Sequence, residues 1–502
     1  MSTSEYIIGI DIGTQGTKAA LFSTDLELIS TAFEKSILIS PEPGTVWQEA
    51  DDLYLSCVRT IHSLVDSTGI RPEKIAAIGI DSQMAGIMGI DKSGEASTYY
   101  DSWLDVRSSR YVDDMRQKAG NDMVLSSGGQ VTCNHASKIL WWKNEFPEIF
   151  NKTEKFVLPH GYVVGKITGN AADKAVFDYT CLHFNSFSDN KNKTWSKELL
   201  DLFGVDREKM PRIASPFEVA GYTTEAFAKL SGTVSGIPVV VGAGDTAAST
   251  FGLGMFEQDM VMDCAGTASV MCCVVDKYLP DLEHKTLTMM RSPVDGLWLP
   301  LSYINGGGLC LRWFRDNFTG NPPCTYDELE AEAEKIPAGS ESLLFCPHFS
   351  GRVLPEDASL KGSFLGLDFK HTRAHMYRAV MEGIAFEYSY YLSVIRENYP
   401  NGHFDNMYTI GGGASSGLFN QIKADVLNVP VHTFETGETA LIGSAVIAAV
   451  GAKVFSDYKE PIRCLMNKKN EYKPNPANVS DYLPCSAAYR KMLDMVSQYY
   501  KK

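Results

Sequence analysis

Apolar residues recur along the chain in two alternating rhythms. Short aliphatic runs, Ile7-Ile8-Gly9-Ile10, Ile75-Ala76-Ala77-Ile78-Gly79-Ile80 and Ile237-Pro238-Val239-Val240-Val241, have the length and composition of buried strands. Elsewhere the period lengthens. Leu53, Cys57, Ile61 and Leu64 return every three or four residues, as do Leu418, Ile422 and Val426, and each set marks one face of a helix. Thr45 to Asp52 reads as a capped entry to the first of these. Asn134 to Glu145 predicts an aromatic-rich amphipathic helix with Trp141 and Trp142 in the core. Gly443 to Ala449 predicts a small-residue helix packed tightly on another helix, and Ser486 to Tyr500 a surface helix. Strands that alternate with helices in this way predict an α/β protein.

One apolar run is interrupted in a distinctive manner. After Ile7 to Ile10 come Asp11, Ile12, Gly13-Thr14 and Gly16-Thr17-Lys18, and Ala19-Ala20-Leu21-Phe22 then resumes the run, which predicts strand, turn, strand. Gly13 and Gly16 are free to take positive φ and to let backbone N–H groups approach an anion; Thr14, Thr17 and Lys18 add donors and charge. Phosphate is the expected guest. The spacing is not that of a Walker A loop, and the turn leads into a strand rather than a helix. Asp11 beside a phosphate would be repelled unless a cation lay between them, so Mg²⁺ is implied. An acidic hairpin turn is the plainer alternative.

The same order of apolar run, acid and Gly-Thr returns half a chain later in Met260-Val261-Met262-Asp263-Cys264-Ala265-Gly266-Thr267. A chain of 502 residues carrying the pattern twice reads as a duplicated pair of α/β lobes. The boundaries drawn from sequence are 1–243 for a first lobe with the first phosphate hairpin, 244–452 for a second lobe, and 453–502 for a tail packed on the lobes.

Other stretches carry candidate chemistry. The strand ending at Ile80 runs into Asp81-Ser82-Gln83-Met84-Ala85-Gly86, and ligands of doubly wound sheets sit beyond the carboxyl ends of strands, so Gln83 and Met84 are candidate substrate contacts. Trp103, Asp105 and Arg107 gather an aromatic ring, a carboxylate and a guanidinium in one loop, the mixture a sugar needs for its C–H faces and its hydroxyls; a surface salt bridge beside a half-buried Trp is the rival. In Gly242-Ala243-Gly244-Asp245-Thr246 the glycines leave room beside the carboxylate, and the following helix N-terminus favours its ionised form, so Asp245 reads as a base kept charged, or else simply as a helix N-cap. Asn305-Gly306-Gly307-Gly308 and Gly411-Gly412-Gly413 join strands to helices and permit close approach of a flat or phosphorylated ligand.

Composition narrows the partners. A net charge of −15, from 46 basic and 61 acidic side chains, gives no reason to seek nucleic acid or anionic lipid. The 11 cysteines show no CxxC spacing, which suits reduced, mostly buried thiols and a cytoplasmic protein. No leader pattern and no apolar stretch of membrane-spanning length is present, so neither export nor a membrane partner is expected. The expected partner is a small molecule; a homodimer is left open.

Two Gly-Thr hairpins that could face each other across a cleft resemble those of the sugar kinase, Hsp70 and actin superfamily, which implies a two-lobed actin-like ATPase fold with a central ATP and sugar cleft. Over residues 6–450 the chain is similar, more specifically, to the FGGY family of carbohydrate kinases. Gly362-Ser363-Phe364-Leu365-Gly366-Leu367, seven residues, and then His375-Met376-Tyr377-Arg378-Ala379-Val380-Met381-Glu382 agree with that family's C-terminal signature at each constrained position. The N-terminal signature is recognisable at Lys138-Ile139-Leu140-Trp141, with Trp142 where an aliphatic residue or Phe is usual. The resemblance implies Asp245 as catalytic base and, with Asp11, as metal ligand. It implies Asp11, Thr14 and Lys18 on the phosphates, with Gly13 and Thr17 beside them, and Gly266, Thr267, Gly308, Gly412 and Gly413 on the nucleotide. Gln83, Met84, Trp103, Asp105, Arg107, Asp245 and Thr246 would contact the sugar.

Within the family, Trp103-Leu104-Asp105-Val106-Arg107 and Gly411 to Leu427 look most like the xylulokinases, which implies ATP-dependent phosphorylation of a ketopentose such as D-xylulose. Two departures bear on the sugar: Ala85 stands where xylulokinases carry His, and Thr246 where they carry Asn. A kinase for another polyol, a hexulose or a gluconate-like sugar acid is the alternative enzyme, and a non-catalytic sugar sensor the alternative from another class.

Overall fold

The computed structural model of the chain describes residues 5–434, 438–466 and 468–501. The chain folds as two units: Met1–Phe256 with Met289–Trp298 and Glu438–Met466, and Glu257–Thr288 with Leu299–Gly437 and Asn467–Lys502.

In the first unit the sheet runs Val219–Tyr222, Pro238–Val240, Ile75–Ser82, Tyr6–Ile12, Gly16–Ser23, Leu28–Lys35, with Ala243–Gly244 also paired to Ile75–Ser82. Ile7, Ile8, Ile10 and Ile12 are all fully buried, so Tyr6–Ile12 is covered on both faces, as a continuous apolar run requires. It is antiparallel to Gly16–Ser23 and parallel to Ile75–Ser82, which sets Asp11 opposite Lys18 on one side and opposite Asp81 on the other. Helix Ala50–Thr68 follows the predicted face, but no side chain caps it. Its first turn instead carries Asp51 and Asp52, whose charges oppose the helix dipole.

Helix Thr439–Gly451 lies on this sheet at van der Waals contact because glycines stand beneath it. A Cβ on Gly79 would come 2.0 Å from the Ser444 carbonyl oxygen, and one on Gly9 would come 2.4 Å from that of Leu441. The same helix packs on helix Asp245–Gly252 through Gly443, where a Cβ would stand 2.0 Å from the Ala248 carbonyl. The tight helix–helix contact expected of Gly443 to Ala449 is therefore made, and a sheet contact is added to it. Through these contacts residues 244–256 and 438–466, placed by the sequence boundaries in the second lobe and tail, group with the first unit, as does Met289–Trp298.

The second unit repeats the plan. Val261–Ala265 is antiparallel to Ser269–Cys273 and parallel to Met407–Ile410, which is followed outward by Val431–Phe434 and Lys468–Tyr472. Helix Arg373–Asn398 crosses its core. Helix Pro476–Tyr500 corrects the expectation of a surface helix: it starts before Ser486 and buries Tyr482, Tyr489, Met492 and Leu493 in one cluster with Leu344 and Phe386. The polar residues of its other face gave the sequence its surface look. Among the described residues no helix is long and apolar enough to cross a membrane, and all eleven cysteines are free.

Between the two long helices lies a buried charge. Glu387 accepts from Arg352 Nε (2.7 Å) and from Tyr489 Oη (2.9 Å). Burial alone would push its carboxyl up; the Arg352 guanidinium and His348 outweigh that and hold it at about 2. A carboxyl depressed below its unfolded value, about 4.3, stabilises the fold fully above that pH and loses the contribution as pH falls toward 2. Glu387→Gln is expected to lower stability at pH 7 by about 3 kcal/mol, with the difference from wild type narrowing below about pH 4. Urea denaturation across that range is the check, and a gap that stays constant with pH would remove the ion pair as its source.

Candidate active site

Three carboxylates converge at the ends of the central strands of the first unit. Asp11 and Asp81 are partners across the parallel ladder, Asp81 is in turn partner to Ala243, and Asp245 opens the helix that follows Gly244. Asp81 Oδ2 accepts from Ser444 Oγ at 2.5 Å. Asp11 Oδ1 and Asp81 Oδ1 are buried and find no donor among the described residues. Burial pushes Asp11 up to about 6 and Asp81 well above the carboxylate range, and Asp11 adds to the second shift. A pair of this kind needs a shared proton or a cation.

Asp245 corrects the expectation of a carboxylate kept ionised by a helix N-terminus. Gly244, not Asp245, is the N-cap residue, and Asp245 Oδ1 accepts from the backbone N (2.5 Å) and Oγ1 (3.1 Å) of Thr246. Burial, and then Asp11, still push its pKa up to about 7. A helix terminus contributes of order 1 kcal/mol, less than enclosure beside two other acids costs. The room beside Asp245 is also used differently from the sequence reading. Gly244 yields its space to Met84, whose Cε would stand 2.4 Å from a Cβ there, so the glycine admits a neighbour of the same chain.

The first hairpin forms as predicted, yet neither Gly13 nor Gly16 has positive φ. Gly16 is required for another reason, since a Cβ would strike the Phe33 ring at 2.3 Å. Thr17 is buried with its hydroxyl 2.7 Å from Ser56 Oγ, which leaves nothing of its side chain for a ligand. Lys18 Nζ donates to both carboxylate oxygens of Glu438, at 2.6 and 2.7 Å. Thr14 Oγ1 accepts from Trp103 Nε1 (2.9 Å) and donates to Gln83 Oε1 (3.3 Å), so the hairpin turn is tied to the two loops expected to meet a sugar. Gln83 donates onward to Gln48 at 2.6 Å, and His135 Nε2 lies 3.1 Å from the Met84 carbonyl oxygen.

Asp105 and Arg107 are brought together, but largely for one another. Asp105 Oδ2 accepts from Val46 N and Arg107 Nε, both at 2.8 Å. The guanidinium also donates to Tyr99 Oη and Asp101 Oδ1 and lies 4.3 Å from the Trp141 ring centroid. The salt-bridge rival thus describes this pair, except that both residues are shielded rather than on the surface.

In the second unit the hairpin Val261–Ala265 and Ser269–Cys273 holds Gly266 and the exposed Thr267 at its turn. Gly308 N donates to the Gly266 carbonyl at 3.0 Å, and a Cβ on Gly308 would lie 2.3 Å from that oxygen, so the glycine lets helix Gly307–Phe318 abut the turn. Gly411 takes φ +82° over Ala265; a Cβ on Gly412 would meet nothing within 4 Å, and Gly413 packs on Ala265. The acid of this hairpin has no open role. Asp263 is fully buried and accepts from Lys423 Nζ (2.6 Å) and Tyr388 Oη (2.6 Å).

Sequence reasoning placed Asp81 in a candidate substrate loop but did not join it to Asp11, and it missed Glu438, Ser444, His135 and Gln48. Asp81 had a signal, an acid ending an apolar run as Asp11 does. Glu438 and Ser444 had none, because their partners are 420 and 363 residues away.

Two matches place the chain among known proteins. Residues 6–252 match the N-terminal domain, and residues 263–452 the C-terminal domain, of the FGGY family of carbohydrate kinases. Similar curated proteins include the xylulose kinase of Bacillus subtilis (strain 168), 26% identical over 97% of this chain and 96% of that protein, and the gluconokinase of the same organism, 26% identical over 88% and 87%. The crystal structure of ligand-bound xylulose kinase from Lactobacillus acidophilus superposes with a TM-score of 0.92 at 26% identity over 99% of each chain. The fold is that of the actin-like sugar kinases, and the chain belongs to the FGGY family of carbohydrate kinases.

Proposed function

We propose that this kinase transfers the γ-phosphoryl group of ATP to a hydroxyl of a neutral sugar, a ketopentose such as D-xylulose or a close polyol, with Asp245 as the base that accepts the hydroxyl proton. The observation that carries the reading is the cluster of Asp245, Asp11 and Asp81 on the ladder next to the Gln83-Met84 loop. A sugar hydroxyl is a weak acid, so its proton leaves late, and alignment of the hydroxyl contributes more than the basicity of Asp245. Lys18 and the Gly13-Thr14 turn would hold the transferred phosphate, Lys18 exchanging the carboxylate of Glu438 for it. Gly266, Thr267, Gly308 and the open face at Gly412 would hold the nucleotide.

The unsatisfied Asp11 Oδ1 and Asp81 Oδ1 fit a hard, oxygen-seeking cation, with Asp11 and Asp245 as its ligands and Asp81 behind them. Mg²⁺ bound there would supply charge neutralisation for the phosphates of the donor. Free thiols and the sugar-kinase chemistry support a cytoplasmic setting.

The choice of a neutral sugar rests on the cations. A sugar acid needs a basic partner, but Arg107 is engaged by Asp101 and Asp105, and Lys138 donates to the Asp105 carbonyl at 2.7 Å. A coupled assay of ADP release over ketopentoses, ketohexoses, polyols and sugar acids should give the highest kcat/KM with a neutral compound. Gluconate as the best substrate would overturn this choice; sugar binding by calorimetry without any turnover would replace the kinase reading by that of a sensor.

Asp245→Asn removes the proton acceptor and keeps the shape. Turnover is expected to fall by about 10²-fold or more while sugar and nucleotide affinities stay within several-fold. Near-normal turnover would take Asp245 out of the mechanism.

Ala85 sits half-buried between Met84 and Gly86 in the sugar loop. Ala85→His adds an imidazole donor where the xylulokinase pattern has one, and should raise kcat/KM for D-xylulose relative to polyols by up to about tenfold. Unchanged selectivity in a folded variant would mean that this loop does not face the sugar.

A further inference from the structure

A buried polar chain runs behind the site and is used by none of the steps above. Ser82 Oγ and His160 Nδ1 share a hydrogen bond at 2.7 Å, and His160 Nε2 stands 3.0 Å from Asp178 Oδ2. Asp178 Oδ1 accepts from Thr180 N at 2.8 Å and from the Thr180 hydroxyl, and Thr180 Oγ1 accepts from Gly244 N at 3.0 Å. Ser82, His160, Asp178 and Thr180 are at most 1% exposed.

The residue types suggest a nucleophilic triad, but the geometry does not serve one. A serine enclosed on all sides has no access to an acyl substrate. What distinguishes the chain is where it ends. Ser82 and Gly244 are themselves partners in the parallel ladder, so the chain leaves one strand, passes through three side chains of other elements, and returns to the facing residue of the neighbouring strand. The rung it encloses is the last before the two functional turns: Gln83 and Met84 follow Ser82, and Asp245 follows Gly244. Each partner fixes another. Thr180 is held by Asp178 through its backbone and its hydroxyl, which points the oxygen at Gly244 N, and a Cβ on Gly242 would lie 3.7 Å from the His160 ring. Burial would push Asp178 up, and His160 and Thr180 hold it below the usual carboxylate range, so the chain keeps a charge that apolar residues would not.

We infer that His160, Asp178 and Thr180 are positioning residues that set the place of Asp245 relative to the Gln83-Met84 loop. This rests on Asp245 as the proton acceptor. A displacement of about 1 Å of such a group costs about 10²-fold in rate.

The test compares Thr180→Val, which keeps the volume and removes the hydroxyl, with Thr180→Ser, alone and in the Asp245→Asn background. Thr180→Val is expected to lower kcat 10- to 100-fold with sugar KM changed less than about threefold, and Thr180→Ser to stay within about threefold of wild type. In the Asp245→Asn protein, residual turnover followed with radiolabelled ATP should fall less than twofold on adding Thr180→Val, because the residue it acts through is already gone. A full, additive loss in that background would assign Thr180 a general structural role and overturn the inference, as would wild-type turnover of Thr180→Val. Wild-type turnover of Asp245→Asn alone would instead defeat the base reading. If Thr180→Val does not fold, Asp178→Asn carries the same comparison; if neither folds, the chain is a stability element and the inference falls.

Discussion

Three carboxylates held close together in a half-enclosed place repel one another, and much of the first unit is arranged around that fact. Asp11 and Asp81 are adjacent because their strands are parallel and in register, and Asp245 joins them because Ala243–Gly244 extends the same ladder. Taking a carboxylate from water costs several kcal/mol unless something answers its charge. Ser444 answers one oxygen of Asp81 and Thr246 one of Asp245; Asp11 Oδ1 and Asp81 Oδ1 have no donor among the described residues.

The supporting frame packs closely where it touches this cluster. Gly9 and Gly79 let helix Thr439–Gly451 sit directly on the strands that carry Asp11 and Asp81, and that seating brings Ser444 to Asp81 and Glu438 to Lys18. A methyl group at Gly79 would lift the helix off and take the Ser444 hydroxyl with it. On the far side, the buried side chains of His160, Asp178 and Thr180 run from Ser82 to Gly244. Packing and hydrogen bonding therefore act on the same few strand ends, one from each face.

The two units share a strand plan and differ in what they do with its acid. Asp11 keeps an unanswered oxygen, whereas Asp263 at the equivalent place is neutralised by Lys423 and Tyr388 in full burial. A carboxylate so paired cannot take a cation, and removing Lys423 would strand a charge in the core. The second hairpin is left with its backbone and the exposed Thr267 as its open polar groups.

Local pattern by itself determined a good deal about this protein. Alternation of apolar runs with helical periods carried the α/β class, the two hairpins were legible from an acid followed by Gly-Thr, and Asp245 stood out between glycines and a helix start. These are properties of neighbouring residues, and strand and helix formation obey them. Only the tertiary structure decided how the pieces were used. Thr17 turned inward to Ser56 and Gly244 made room for Met84, both neighbours distant in sequence, while Arg107 closed on Asp101 and Asp105 of its own loop. The helix terminus favours an ionised Asp245, and burial beside Asp11 pushes its carboxyl up against that local dipole. Ser444 and Glu438 were invisible in the sequence because contacts over several hundred residues leave no periodic trace, and only close packing of helix on sheet brings them in.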